Sequence, residues 1–261
     1  MRIRIYFFSG TGNTAWVAHH LEEHLRSLGD EVTAHSCEKA KATEFNPQEW
    51  DMLGLLFPVH ASSAPVIVQD FMRDLPPGDG MPLFAVTTAG YAAGDTAWYA
   101  VRPLGEKGYR PFLLSNVLMG NNLYLPGLPV LFPTPEEMKP RLAKAEQRIS
   151  HLAELIHRQE RLVEGAGVGG RLLGITQRAT DKWLNLPAFY ADEDCIRCGW
   201  CVSHCPVGNI EMTDEGVRFG DGCVHCMRCF NFCPKKAIQV VGAKKKIERR
   251  YRGPEGKPRF F

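Results

Sequence analysis

The first 160 residues alternate short apolar runs with segments in which apolar residues recur at helical spacing. The strand-like runs cover residues 2–8, 31–35, 51–57, 82–88 and 110–119. Segments with helical spacing separate them, the clearest at residues 17–28, 66–75 and 96–104. Strands that alternate with helices predict a doubly wound parallel α/β sheet, because parallel neighbours need a crossover connection. We therefore expect five parallel strands with helices on both faces.

The last helix of this region has a clear start. Thr134 and Glu137 have the spacing of a capping box, and Pro135 takes the first helical position. Apolar residues then recur on one face from Met138 to Ile156. The pattern predicts one long amphipathic helix packed on the sheet.

Changes in composition divide the rest of the chain. A glycine-rich run at residues 165–170 predicts a flexible linker, and residues 171–190 form a docking segment or pack in the ordinary way. The final residues hold eight Lys or Arg against two Glu, a basic tail that we expect to be solvated. The predicted units are a domain at 1–163, a linker or docking segment at 164–191, a second domain at 192–241 and the tail at 242–261.

Composition narrows the class of protein. With 44% hydrophobic and 23% charged residues, the chain has enough apolar material for a core, and its net charge of +2 indicates neither nucleic-acid nor membrane binding. Residues 111–135 carry no charge, but their five prolines exclude a membrane-spanning helix. No secretory signal precedes the first strand. We expect a soluble, cytoplasmic protein.

Eight of the nine cysteines lie in two copies of one motif. Each copy reads C-x2-C-x2-C-x3-C-P, and the copies match at an offset of 28 residues. The cysteines are Cys195, Cys198, Cys201, Cys205, Cys223, Cys226, Cys229 and Cys233. Three thiolates at this spacing reach one [4Fe–4S] cubane, whereas zinc usually takes close pairs separated by a longer stretch. A disulfide framework and two zinc sites are the alternatives, and Cys37 receives no role.

Over about fifty residues these motifs closely resemble bacterial two-cluster ferredoxins, in which the fourth cysteine of each motif binds the other cluster. The resemblance implies one [4Fe–4S] cluster on Cys195, Cys198, Cys201 and Cys233. It implies a second cluster on Cys223, Cys226, Cys229 and Cys205. Two adjacent clusters make a path for electrons.

The first strand is followed by a loop at the edge where α/β sheets bind anions. The loop comprises Ser9, Gly10, Thr11, Gly12, Asn13 and Thr14. A dinucleotide site would need an acidic residue closing the second strand, and Glu38 lies beyond the usual distance. A P-loop would need a lysine, which this loop lacks. Hydroxyls and bare backbone N–H groups can instead surround a terminal phosphate without a cation.

This loop closely resembles the phosphate loop of flavodoxins, whose T/S-x-T-G-x-T signature is matched at Ser9, Thr11, Gly12 and Thr14. The resemblance covers residues 1–160 and implies a flavodoxin-like sheet in the order 2-1-3-4-5. It also implies FMN at the carboxyl ends of the strands.

The resemblance places the flavin ring against the loops after strands three and four. The residues expected there are Pro58, Val59, His60, Thr88, Ala89, Gly90, Tyr91 and Gly94. Tyr91 would stack on the ring and His60 would hydrogen-bond its polar edge, although ordinary loop packing is the alternative for both. The charge-free segment 120–127 covers the flavin or faces the second domain.

Together the two resemblances predict an electron-transfer flavoprotein of the flavodoxin–ferredoxin fusion type, with FMN and two [4Fe–4S] clusters. Its partners would be redox proteins or a small electron donor or acceptor, and a homodimer stays open. The alternative is an FMN-dependent reductase of a small substrate such as a quinone, fed by the clusters. A sensor that contacts nucleic acid through residues 244–252 lacks a recognisable DNA-reading helix.

Overall fold

Six parallel strands form the N-terminal sheet in the computed structural model, which describes residues 1–125, 132–181 and 188–256. The strands are β1 (Arg2–Phe7), β2 (Glu31–Ser36), β3 (Met52–Pro58), β4 (Pro82–Ala89), β5 (Arg110–Leu118) and β6 (Leu162–Val163). They lie in the order β2-β1-β3-β4-β5-β6. This is the flavodoxin-like doubly wound order, whose direction reverses between β1 and β3. The predicted fold class is confirmed.

The sheet has one strand more than the sequence pattern predicts. β6 pairs with β5 through Leu113–Leu162 and Leu114–Val163. A strand of two residues is too short to show an alternating pattern, so only its neighbour identifies it. The prediction of five strands missed this edge strand.

Helices cover both faces of the sheet. They are α1 (Asn13–Ser27), α2 (Val66–Asp74), α3 (Thr96–Glu106) and α4 (Pro135–His157). A fifth helix, α5 (Val168–Asp181), is largely exposed and contacts the loops after β3 and β4, where Arg178 donates to Ser62 O and to Asp95. Leu21 of α1 and Ile149 of α4 belong to the core on one face, and Phe71 of α2 and Val101 of α3 to the core on the other. In the part of the chain that the structure describes, no helix is both long and apolar enough to cross a membrane.

The predicted capping box of α4 is present. The Thr134 hydroxyl accepts a hydrogen bond from the Glu137 N–H at 3.2 Å, and the Glu137 carboxylate accepts one from the Thr134 N–H at 2.7 Å. Both donors would otherwise be unsatisfied at the start of the helix. Local sequence therefore sets this boundary.

Two glycines of the glycine-rich run lie close to other backbone atoms, whereas Gly167 and Gly169 have open space around them. A Cβ on Gly165 would lie 2.1 Å from the carbonyl oxygen of Gly94, and one on Gly170 would lie 2.1 Å from that of Gly165. These glycines serve close approach between backbones, whereas the composition predicts an open linker. Residues 182–187, within the predicted docking segment, lie outside the described residues.

The C-terminal region is a small α+β unit built on the sequence repeat. Its elements are β7 (Phe189–Ala191), α6 (Trp200–Ser203), β8 (Ile210–Thr213), β9 (Gly216–Phe219), α7 (Arg228–Phe232) and β10 (Ile238–Val240). β7 pairs with β10 and β8 pairs with β9, both antiparallel. Left-handed conformations at Arg197, Gly199 and Gly208 recur at His225, Met227 and Lys236, each 28 residues later. The duplication is therefore a repeat of backbone conformation as well as of cysteines.

The basic tail is packed at one place, although Lys244, Lys245, Lys246 and Arg249 are exposed as expected of a solvated tail. Arg250 is buried over the ring of Phe230 at 4.0 Å and donates hydrogen bonds to the carbonyl oxygens of Lys236 and Ile238 at 2.7 and 3.0 Å. Burial lowers the pKa of Arg250 to about 10. Residues 257–261 of the predicted tail lie outside the described residues. The described tail is therefore packed around Arg250 and exposed at most of its other cations.

Candidate functional site

The eight motif cysteines line two cavities, four to each. The first cavity, of about 330 Å³, is lined by Cys195, Cys198, Cys201 and Cys233. The second, of about 370 Å³, is lined by Cys205, Cys223, Cys226 and Cys229. In both, three thiols of one motif meet the fourth cysteine of the other. All nine cysteines are described and free of disulfide bonds, and among the described residues no three His, Cys, Asp or Glu form a group tight enough for a single metal ion.

Backbone N–H groups point at several of these sulfurs. The N–H of Asn209 lies 3.2 Å from the Cys205 sulfur, and the N–H of Ala237 lies 3.3 Å from the Cys233 sulfur. The two pairs are related by the 28-residue repeat, so both crossing cysteines have the same surroundings. Donors of this kind stabilise negative charge on cluster sulfurs.

Burial disfavours the charged thiolate form of the cysteines in the second cavity. It raises the pKa of Cys226 to about 12 and also raises the pKa of Cys223 and Cys229, although Arg228 partly offsets the effect at Cys226. A buried thiolate needs a strong positive partner, and iron in a cluster supplies one. The donor chemistry of both cavities therefore fits an iron–sulfur cluster.

The loop between β1 and α1 is buried and donates few of its N–H groups to protein. Ser9 Oγ accepts from the Gly12 N–H at 3.1 Å, and Thr11 Oγ1 accepts from the Asn122 amide at 2.6 Å, so both hydroxyl protons stay available to an acceptor. The N–H groups of Gly10 and Thr11 have no acceptor in residues 1–125, 132–181 and 188–256. Unpaired N–H groups beside a helix N-terminus fit a phosphate.

This loop lies directly against the second thiol cavity. A Cβ on Gly10 would lie 2.3 Å from the carbonyl oxygen of Cys226, so only glycine permits this approach. Gly12 has φ +100°, a left-handed conformation at the start of α1. The two glycines thus serve different purposes, close contact in one case and backbone conformation in the other.

The residues predicted to face the flavin ring lie at the carboxyl edge of the sheet, in different surroundings. Thr88 Oγ1 and Thr14 Oγ1 are 2.8 Å apart, which joins the second of these loops to the phosphate loop. Pro58, Val59, His60, Gly90 and Gly94 are half-buried, and Thr88 and Ala89 are buried. Tyr91 is 58% exposed. Burial, with a smaller effect from His225, lowers the pKa of His60 to about 4, so this imidazole is neutral at pH 7.

The segment after β5 faces the cluster region, one of its two predicted positions. The Asn122 carbonyl oxygen accepts a hydrogen bond from the side chain of Asn231 at 3.1 Å, and Tyr124 belongs to the core of the cluster region. Pro126 and Gly127 of the predicted segment lie outside the described residues. Asn122 thereby links the cluster region to Thr11 of the phosphate loop.

Sequence reasoning missed the residues that join the loop to the cluster region. Arg228, buried between them, forms an ion pair with Glu38, and Tyr251 hydrogen-bonds Asn13. One signal was present in the repeat, because the residue 28 positions before Arg228 is Trp200. The two halves of the repeat therefore differ in charge at this position.

Comparisons with known proteins agree with this architecture. A family model described as 4Fe-4S dicluster domain matches residues 194–237. The polyferredoxin protein MvhB of Methanothermobacter marburgensis is 44% identical over 48 residues, which are 18% of this chain and 12% of that relative's length. The chain thus combines a flavodoxin-like sheet with a 4Fe-4S dicluster domain.

Solved flavodoxin structures resemble the N-terminal region. A flavodoxin from the domain Archaea is 16% identical with a TM-score of 0.42, and covers 60% of this chain and 99% of its own. The two-electron reduced flavodoxin of Megasphaera elsdenii is 18% identical with a TM-score of 0.42, and covers 58% of this chain and 98% of its own. The flavodoxin-like assignment rests on the strand order described above.

Proposed function

We propose that this protein is an iron–sulfur flavoprotein that transfers electrons between FMN and two [4Fe–4S] clusters. The observation that carries the proposal is the contact between the loop of Cys226 and the phosphate loop at Gly10. It puts a cavity lined by four thiols next to the loop whose free N–H groups fit a phosphate. Two redox sites in contact within one chain suit electron transfer between them.

Each thiol cavity would hold one cluster. The first set is Cys195, Cys198, Cys201 and Cys233, and the second is Cys205, Cys223, Cys226 and Cys229. The chain's part is to hold the thiols in place, to exclude water and to donate N–H groups to sulfur. The proposed boundaries are 1–163 for the flavin domain and 192–241 for the cluster domain, joined by 164–191 and followed by 242–261. The end of the joining segment, β7, pairs with β10 of the cluster domain.

FMN would bind through its phosphate at Ser9, Gly10, Thr11, Gly12, Asn13 and Thr14. When bound, a flavin exchanges two electrons in single steps and a cluster exchanges one, so the pair connects two-electron and one-electron partners. His60 would offer a neutral imidazole to the ring edge, and Tyr91 an aromatic face. The ring would also contact Pro58, Val59, Thr88, Ala89, Gly90 and Gly94. The electron partners would be redox proteins or small molecules in the cytoplasm.

A reductase of a small substrate such as a quinone, fed by the clusters, is the second candidate. The exposure of Tyr91, 58%, favours it, because solvent reaches this side of the ring loops. Saturable anaerobic turnover of a quinone would support the reductase. Electron exchange with a reduced ferredoxin, without such turnover, would support the carrier.

The experiment that tests the proposal is anaerobic purification followed by iron, sulfide and flavin analysis. We expect about eight irons and eight sulfides per chain, and one FMN on titration. Thr11→Glu, which puts a carboxylate where the phosphate would lie, should abolish FMN binding, whereas Ser27→Glu at the other end of α1 should not. Zinc without sulfide, or FMN binding that Thr11→Glu leaves unchanged, would contradict the respective assignment.

A further inference from the structure

Arg228 is the most completely bonded charged residue at the contact between the two regions. Its side chain is 1% exposed. Nε donates to the Gly10 carbonyl oxygen at 3.3 Å, and one terminal nitrogen donates to Ser9 O at 2.8 Å and to Glu38 at 2.6 Å. The other terminal nitrogen donates to Glu38 at 2.9 Å and to His204 O at 3.0 Å. All five guanidinium N–H groups therefore have partners, which fixes the group in one position.

The two loop carbonyls that bind Arg228 belong to the peptide units that present the free N–H groups. The Ser9 carbonyl shares its peptide unit with the Gly10 N–H, and the Gly10 carbonyl shares one with the Thr11 N–H. A cation on a carbonyl oxygen polarises the whole peptide unit and makes its N–H a stronger donor. Arg228 therefore strengthens the N–H donors on the opposite side of the loop without contacting the group that they bind.

Arg228 also acts on the second thiol cavity. It lines that cavity together with the four cysteines, which places a buried positive charge beside the proposed cluster site. Trp200 takes its place in the first half of the repeat. The first cavity has its own cations, Arg197 and Lys235, but none at the position of Arg228, so this buried cation belongs to the second cluster site.

We propose that Arg228 is a positioning residue that strengthens phosphate binding through the peptide units of Ser9 and Gly10, so that the site favours FMN over riboflavin. The inference rests on the proposed function, since it names a determinant of FMN binding. The same cation holds the reduction potential of the Cys205, Cys223, Cys226 and Cys229 cluster above the value that it would otherwise have. Glu38, the counter-charge, weakens phosphate binding and lowers the reduction potential of this cluster.

The test compares FMN and riboflavin affinities, measured by anaerobic fluorescence titration of the cluster-loaded full chain. Arg228→Gln should weaken FMN binding about tenfold or more while riboflavin changes less than about twofold, because only FMN has the phosphate. Glu38→Gln keeps the guanidinium and removes its counter-charge, so FMN should bind severalfold tighter with riboflavin unchanged. A redox titration of the same proteins should show a shift in the reduction potential of one cluster. This potential should fall in Arg228→Gln and rise in Glu38→Gln.

The outcomes distinguish a failure of the role assigned to Arg228 from a failure of the flavin assignment. If Arg228→Gln loses FMN affinity and riboflavin affinity equally, the inference is overturned and the proposed function stands. The same holds if the reduction potentials of both clusters shift together. If Arg228→Gln does not assemble its clusters, Glu38→Gln decides alone, and an unchanged ratio of FMN to riboflavin affinity overturns the inference. A native protein that does not bind FMN overturns both this inference and the flavin assignment.

Discussion

The hydroxyl of Tyr251 donates a hydrogen bond to the side-chain oxygen of Asn13 at 2.5 Å. Both residues are buried, and the Asn13 amide donates in turn to the Gly120 carbonyl oxygen at 2.8 Å. A Cβ on Gly120 would lie 2.7 Å from the Tyr251 ring, so the close packing of Tyr251 requires glycine at position 120. The C-terminal segment thereby closes over the start of α1, at the phosphate loop.

Tyr251→Phe should lower the free energy of unfolding by about 1–3 kcal/mol, because it leaves the oxygen of Asn13 buried without a donor. The measurement is anaerobic urea unfolding. Tyr190→Phe, at a half-exposed tyrosine, should change stability by less than about 0.5 kcal/mol. Equal effects of the two substitutions would show that the Tyr251–Asn13 bond contributes nothing measurable.

The ion pair between Arg178 and the buried Asp95 should attach α5 to the loop before α3. Arg178 donates to both carboxylate oxygens at 2.6 and 3.0 Å and to the Ser62 carbonyl oxygen at 2.9 Å. Asp95→Asn should cost about 3 kcal/mol, because it leaves Arg178 without its counter-charge. Hydrogen exchange should accelerate in residues 168–181.

A matched control for that prediction is the exposed pair of Arg218 and Glu211, whose side chains are 69% and 62% exposed. Glu211→Gln should cost less than about 1 kcal/mol, since solvent screens the pair. If α5 exchanges at the native rate in Asp95→Asn, the ion pair is not what attaches this helix.

The crossing of the fourth cysteines can be tested one cluster at a time. Cys233 lines the cavity of the first motif and Cys205 that of the second. Cys233→Ala and Cys205→Ala should each reduce the iron content from about eight to about four, and the double variant Cys233→Ala/Cys198→Ala should lose no more iron than Cys233→Ala alone. Cys37→Ala should retain all the iron. A further loss in the double variant would mean that each motif binds its own cluster with all four cysteines.

His60 should make stability depend on pH below neutrality. Its pKa is lowered by burial to about 4 from an ordinary 6.5, so the unfolded chain binds more protons than the native one between these values. Stability therefore falls as pH falls through this window. The stability of the native protein relative to His60→Gln should decrease by about 2 kcal/mol between pH 7 and pH 5. His151→Gln, at an exposed histidine on α4, is the control, and a pH-independent difference would contradict a lowered pKa for His60.

Much of the fold could be predicted because its signals are local. The strand and helix pattern of the first 160 residues, the capping box of Thr134 and Glu137, and the cysteine repeat all lie within short stretches of chain. β6 escaped prediction because a strand of two residues has no period of its own. The close contacts of Gly165 and Gly170 could not be predicted, because composition does not distinguish a glycine needed for close contact from one in an open linker.

By itself, the sequence determined that this chain has a parallel α/β sheet, a hydroxyl- and glycine-rich loop after the first strand, and two four-cysteine motifs. Only the tertiary structure decided that these parts meet, through Arg228 and Glu38, 190 residues apart, and through Tyr251 and Asn13, 238 residues apart. The physical reason is that periodicity, caps and ligand spacing act between near neighbours. A buried ion pair or hydrogen bond between distant residues depends on how the surfaces pack, and neither stretch of sequence identifies its partner.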